Sequence, residues 1–164
     1  MRATRRGFLA AGLAVLAACA PRSKFRTYDG PEVTGIVVSK SDRRMYLVHH
    51  GRVLKRYRVD LGRAPAGPKR IEGDGKTPEG TYVIDRRNPD SRFHLSLGIS
   101  YPSEDDRAQA AAVGESPGGD IFIHGRNGRG GRTDWTEGCI AVTDREMEEI
   151  YAMVRVGTPI TIHP

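Results

Sequence analysis

The chain has 164 residues, room for one domain with a sizeable core and little more. Hydrophobic residues make up 38% and charged residues 28%, the balance of an ordinary soluble globular protein. The net charge is +6, too mild to point to nucleic acid as the main partner, and 20 glycines imply many turns and hence many strands.

Taken in chain order, the first segment is a separate object. MRATRRGFLAAGLAVLAAC has a basic start, an apolar stretch from Phe8 to Ala18 and small residues before Cys19, the layout of an export signal. The stretch is too short for a comfortable membrane span. Arg5-Arg6 followed by Phe8-Leu9 resembles a twin-arginine signal. Leu16-Ala17-Ala18-Cys19 resembles a lipobox, in which Cys19 carries lipid and becomes the mature N-terminus. A plain secretory signal with an incidental cysteine is the alternative. Residues 1–18 are thus expected to be removed, taking three arginines and no acid from the net charge of +6 and leaving +3. Residues 19–31 read as a polar tether and 32–164 as the folded domain.

The domain opens with strand VTGIVVSK, a turn at Ser41–Arg43, then RMYLVHH, a turn at His50-Gly51 and the alternating VLKRYRVDL, all in half-buried antiparallel style. Gly62–Gly75 is a loop rich in Gly, Pro and charge. Strand candidates GTYVIDRR and FHLSLGISY follow. Ser103–Ala112 is a short helix, with Ser103 as cap and early acids suited to its positive end. DIFIHG is a short strand ending at His124, and CIAV a buried strand or helix-entry turn. Thr143-Asp144-Arg145-Glu146 fits a capping box, and Met147, Ile150, Tyr151 and Val154 recur at helical spacing. Gly157 stops that helix and TPITIH is a closing strand. The fold class is mostly β with two helices, α+β, in a single domain.

If Cys19 is lipidated, Cys139 is the single thiol of the mature protein. A buried structural cysteine and a nucleophile both fit it. Gly138 lets backbone approach a substrate closely, and N–H groups around Gly138 and Cys139 are candidates to meet an oxyanion. His124 ends the apolar run IFI and precedes Gly125; near a thiol, an imidazole lowers the thiol pKa and later protonates a leaving amine. One Cys and one His fall short of zinc spacing, so no metal is expected. Arg126, Arg129 and Arg132 form either a solvated basic loop or a carboxylate clamp. Trp135 is a cleft wall or core.

The segment His124-Gly125, a variable loop, then Thr136-Glu137-Gly138-Cys139-Ile140 resembles the signature of bacterial L,D-transpeptidases of the YkuD type. GDGKTPEGTYVI, FHLSLGISYP, GGDIFIHG and the helix REMEEIYAMV extend the likeness over about residues 33–163, toward the small murein transpeptidase-like subfamily. The family commonly has His where Glu137 stands and Asn or Arg where Ala141 stands, and its His-to-Cys loop is slightly longer. The resemblance implies an L,D-transpeptidase-type mixed β-sandwich. It also implies a peptidoglycan L,D-transpeptidase in which Cys139 forms a thioester with a tetrapeptide stem, releases D-Ala and passes the acyl group to an amine. Catalytic roles then fall to Cys139, His124 and Gly138, and substrate contacts to Gly125, Arg126, Arg132, Trp135 and Thr136. No soluble cofactor is implied. The partners would be peptidoglycan stem peptides and, through the lipid on Cys19, a membrane on the periplasmic side of the envelope. Two other readings stay open: a cysteine amidase or endopeptidase that hydrolyses crosslinks or wall-protein linkages, and a non-catalytic wall-binding lipoprotein.

Overall fold

The computed structural model describes residues 23–128 and 133–164. The export signal and Cys19, and also Arg129 and Arg132, lie outside the described residues.

Three strands open the domain: β1 (Gly35–Ser39), β2 (Arg44–His49) and β3 (Arg52–Arg58). Ile36 and Val38 of β1, and Met45 and Leu47 of β2, point inward at alternate positions, as the period-2 pattern requires. The β2–β3 turn uses His50 and Gly51, both at positive φ (46° and 82°), the geometry that matches strand twist in a tight hairpin. β3 is more exposed than its alternation suggests; only Tyr57 within it is buried, while Val59 and Leu61 beyond its end enter the core.

The chain continues through β4 (Gly80–Asn88), β5 (Ser96–Ile99), α1 (Glu104–Ala111), β6 (Phe122–His124), β7 (Ile140–Ala141), α2 (Asp144–Met153) and β8 (Pro159–His163). The expected capping box of Thr143 with Glu146 is present at α2, and the expected Ser103 cap of α1 is part of a second box with Asp106. α2 buries Met147, Ile150, Tyr151 and Met153 and packs on β5 and β6. FHLSLGISY is a strand only over Ser96–Ile99, because Phe93 and His94 are drawn into a loop beside the cleft.

The strands form an eight-stranded sheet in the order β3-β2-β1-β8-β4-β5-β6-β7. β8 lies parallel to β1 and antiparallel to β4, so the last strand is inserted mid-sheet. The sheet is mixed, as expected, and it curls around one hydrophobic cluster. Its two ends meet: Asp60, just past β3, exchanges backbone hydrogen bonds with Ala141 of β7 at 2.8 and 2.9 Å, and Gly62 is bridged to Thr136. That closure brings the segment before Cys139 onto the segment after β3.

Candidate active site

His124 ends β6, and Cys139 immediately precedes β7, its parallel neighbour. The pairing aligns Ile123 with Ile140 and His124 with Ala141, so Cys139 falls level with Phe122, two residues back along β6 from His124. Together they line a cavity of about 350 Å³ whose other walls include Asn88, Arg92, Phe93 and Phe122.

The turn before the thiol is fixed from within. Gly138 has φ +134°, and a Cβ there would stand 2.6 Å from the Lys76 carbonyl oxygen, so the position accepts only glycine. Lys76 belongs to the Gly-Lys-Thr-Pro segment, which therefore backs the turn before Cys139. The Thr136 hydroxyl accepts from Gly138 N–H at 3.1 Å and donates to the Cys139 carbonyl at 2.7 Å. Thr136 N–H donates to Leu61 O at 3.1 Å, and Arg63 N–H donates to Thr136 O at 2.9 Å. Two expectations change as a result. Thr136 is 4% exposed with its hydroxyl occupied, so it braces the turn instead of facing a substrate. Gly138 N–H is taken by that hydroxyl and is not aimed at an oxyanion.

His124 is 3% exposed. Its Nδ1 lies 2.6 Å from the Gly125 carbonyl, which can only accept; Nδ1 therefore carries the proton and Nε2 is the free base. Phe93 stacks on the imidazole at 4.5 Å between centroids, and Trp135 meets it edge-on at 5.7 Å. Trp135 is thus a wall of the histidine's setting. Burial lowers the His124 pKa below its ordinary value; the Gly125 hydrogen bond opposes this and the Arg126 charge adds to it.

The half-buried Cys139 thiol donates to the Asp120 carbonyl at 3.5 Å. Burial pushes its pKa up, with the Phe122 backbone N–H offsetting part of the effect. The sequence suggested a thiolate held by imidazole; burial instead pushes the thiol pKa up and the imidazole pKa down, so desolvation disfavours both charged forms.

Gly125 serves packing, since a Cβ would stand 2.5 Å from Asp144 Oδ1 and 2.8 Å from Phe93 O. Arg126 is not an unpaired clamp: its guanidinium is bonded to the carboxylate of Asp60, itself 3% exposed. Asp144 Oδ1, at the start of α2, accepts from the N–H groups of Arg126 and Asn127 at 2.6 and 2.8 Å and holds the turn after His124. Glu137 points outward and pairs with Arg63. Sequence reasoning missed Asp60, Phe93 and Asp120. An acid between Val59 and Leu61 was the available signal for the first; no local pattern marked the other two. Among the described residues no three His, Cys, Asp or Glu side chains gather in a way that could hold a metal ion.

A curled mixed sheet whose adjacent parallel strands β6 and β7 bring one thiol, the only one among the described residues, and a buried imidazole to the same cleft defines a class of catalytic domain. The family model of the L,D-transpeptidase catalytic domain, YkuD, matches residues 34–162, and the chain belongs to that family. YafK of Escherichia coli (strain K12), named there as a candidate L,D-transpeptidase, is 32% identical over 105 residues, covering 62% of this chain and 37% of YafK. The chain thus spans little more than a third of the curated relatives it matches. The crystal structure of Pgp2, the helical cell shape determining protein of Campylobacter jejuni, aligns with TM-score 0.63 at 28% identity, over 82% of this chain and 49% of Pgp2. L,D-transpeptidase 1 of Mycobacterium tuberculosis shares the fold, with TM-score 0.53 at 17% identity over 81% of this chain and 62% of its own.

Proposed function

We propose that this protein is a peptidoglycan L,D-transpeptidase that forms a Cys139 thioester with a tetrapeptide stem and passes it to an amine. The observation that supports this most is a single cavity lined by both Cys139 and a His124 ring whose Nδ1–H is spent on Gly125 O, which leaves Nε2 as base. The thiol leaves its contact with Asp120 O as the stem enters, and Nε2 takes the S–H proton while sulfur attacks the carbonyl of the third stem residue. The tetrahedral oxyanion is met by backbone N–H donors, for which Cys139 N–H is the candidate. The C–N bond then breaks, and the imidazolium gives its proton to the departing D-Ala amine. An acceptor amine attacks the thioester, loses its proton to Nε2 and expels the thiol, which regains that proton. A second cavity of about 360 Å³ adjoins through Asp120 and is lined by Lys69 as well as by Glu72 and the Arg63-paired Glu137; Glu72 is the acid suited to an incoming ammonium. Arg92 on the wall of the first cavity suits a stem carboxylate. Likeness to a cell-shape protein fits wall remodelling as the setting. Export and a lipid on Cys19 would put the domain where peptidoglycan lies.

Purified protein with tetrapeptide muropeptides, followed by mass spectrometry, tests the reading. Crosslinked dimers with loss of D-Ala are expected, and Cys139→Ser, whose hydroxyl is scarcely ionised at neutral pH, is expected to abolish them. Shortened monomers alone would make the protein a hydrolase, and undiminished turnover by Cys139→Ser would overturn the nucleophile.

A further inference from the structure

We propose that the N-terminal strap, residues 23–31, is a positioning element of the active site: Lys24 staples the loop that carries Phe93, and Phe93 in turn holds His124.

The strap lies against the domain rather than leading away from it. Arg26 donates through Nε and Nη2 to Glu148 Oε2 on α2 at 3.0 and 2.7 Å, and Phe25 meets Tyr151 of the same helix at 6.3 Å between rings. Between these anchors and the cleft stands Lys24. Its Nζ donates to Pro89 O at 2.6 Å and to His94 O at 3.5 Å. Those two carbonyls bracket Asp90, Ser91, Arg92 and Phe93, all four of which line the cavity that holds Cys139. One ammonium thus ties the two ends of a cavity-lining loop together.

The loop needs such support. His94 has φ +76°, a conformation that costs a residue with a Cβ and persists only where its surroundings impose it. Its carbonyl is bound by Lys24, and its ring Nε2 lies 3.1 Å from Glu148 Oε1, the carboxylate that Arg26 also grips. Strap, helix and loop therefore share one polar junction. The next residue back, Phe93, stacks on the His124 imidazole at 24° between planes. From the other side, Asn127 Nδ2 donates to Arg92 O at 2.9 Å and Gly125 N–H to Leu95 O at 3.3 Å, so the loop and the His-Gly turn are tied to each other. Releasing the strap would free the ends of the loop, loosen the Phe93 stack and admit water to His124. Neither Lys24 nor Arg26 touches the reacting atoms; both act through Phe93.

The experiment follows the His124 ring by NMR across pH in the protein as recovered from cells, with its signal assigned by its loss in His124→Gln. Lys24→Met is expected to raise the His124 titration midpoint toward the ordinary histidine range and to lower kcat on muropeptides about tenfold, the size of one charge-assisted hydrogen bond, with KM little changed. Lys24→Arg is expected to restore most of both. Arg26→Met is expected to act in the same direction more weakly, and Phe93→Leu to reproduce the titration shift. The idea fails if Lys24→Met and Arg26→Met lower only the melting temperature and leave the His124 midpoint in place, or if Phe93→Leu leaves it there. The turnover readout rests on the transpeptidase reading. The NMR titration does not, so a protein without muropeptide activity still decides the strap's role.

Discussion

Replacing Thr136 by valine separates a brace from a substrate contact. The two side chains have nearly the same volume, so the packing at this 4% exposed site is kept and only the hydroxyl is lost. Two backbone groups then lose their partner: Gly138 N–H, at 3.1 Å from the hydroxyl, and Cys139 O, at 2.7 Å. A buried backbone group left unpaired costs about 1–3 kcal/mol. Cys139 is half-buried, so water recovers part of the loss at its carbonyl. The sum is about 3 kcal/mol. In a domain of this size each kcal/mol moves the melting temperature by roughly 3 to 4 °C, so Thr136→Val is expected to melt about 10 °C lower. Its kcat is expected to fall as well, because the loosened turn carries Cys139, the proposed nucleophile, whereas KM stays close to wild type. Thr136→Ser keeps the hydroxyl and is expected to retain most of both. Scanning calorimetry with steady-state kinetics on muropeptides measures these. A Thr136→Val protein that melts within about 2 °C of wild type, well under 1 kcal/mol, and raises KM alone would refute the bracing role.

The lowered His124 pKa implies that kcat/KM keeps its full value below the ordinary histidine pKa of about 6.5 before its acid limb begins. Stability behaves correspondingly: as pH falls through that value the unfolded chain takes a proton that folded His124 refuses, so the folded state loses ground until pH drops below the folded pKa. A pH–melting profile on wild type and His124→Gln checks the sign, and an identical acid slope in both would contradict it. Arg126→Met leaves the Asp60 carboxylate buried without its cation and is expected to destabilise by about 2–3 kcal/mol, read by denaturant melts; a stable variant with a raised KM would restore the clamp reading. Cys19→Ala is expected to abolish partition into detergent and the lipid mass on the N-terminus, which membrane fractionation and mass spectrometry read directly.

Local regularities were legible in the sequence because they depend on near neighbours. The alternation of Ile36 and Val38, the turn at His50-Gly51, the Ser103 cap, the capping box of Thr143 with Glu146 and the apolar stripe of α2 need only residues a few places apart, and all are present. That Cys139 and His124 share one cleft was also legible, since parallel pairing of β6 and β7 brings two separated segments together. Tertiary structure alone decided what the other side chains near the cleft do. Arg126 reads as a free cation until Asp60, far away in the chain, is brought beneath it by the closure of the sheet. Thr136 reads as a ligand contact until its hydroxyl is seen bridging its own turn. The direction of the thiol pKa depended on how deeply Cys139 and His124 sink, because desolvation outweighs the nearby hydrogen bonds. The mid-sheet insertion of β8, parallel to β1, is likewise a matter of long-range register. Sequence patterning sets which face of an element is apolar; which partner waits on the far side is set by how distant segments pack, and charge, pKa and hydrogen-bond role follow from that partner.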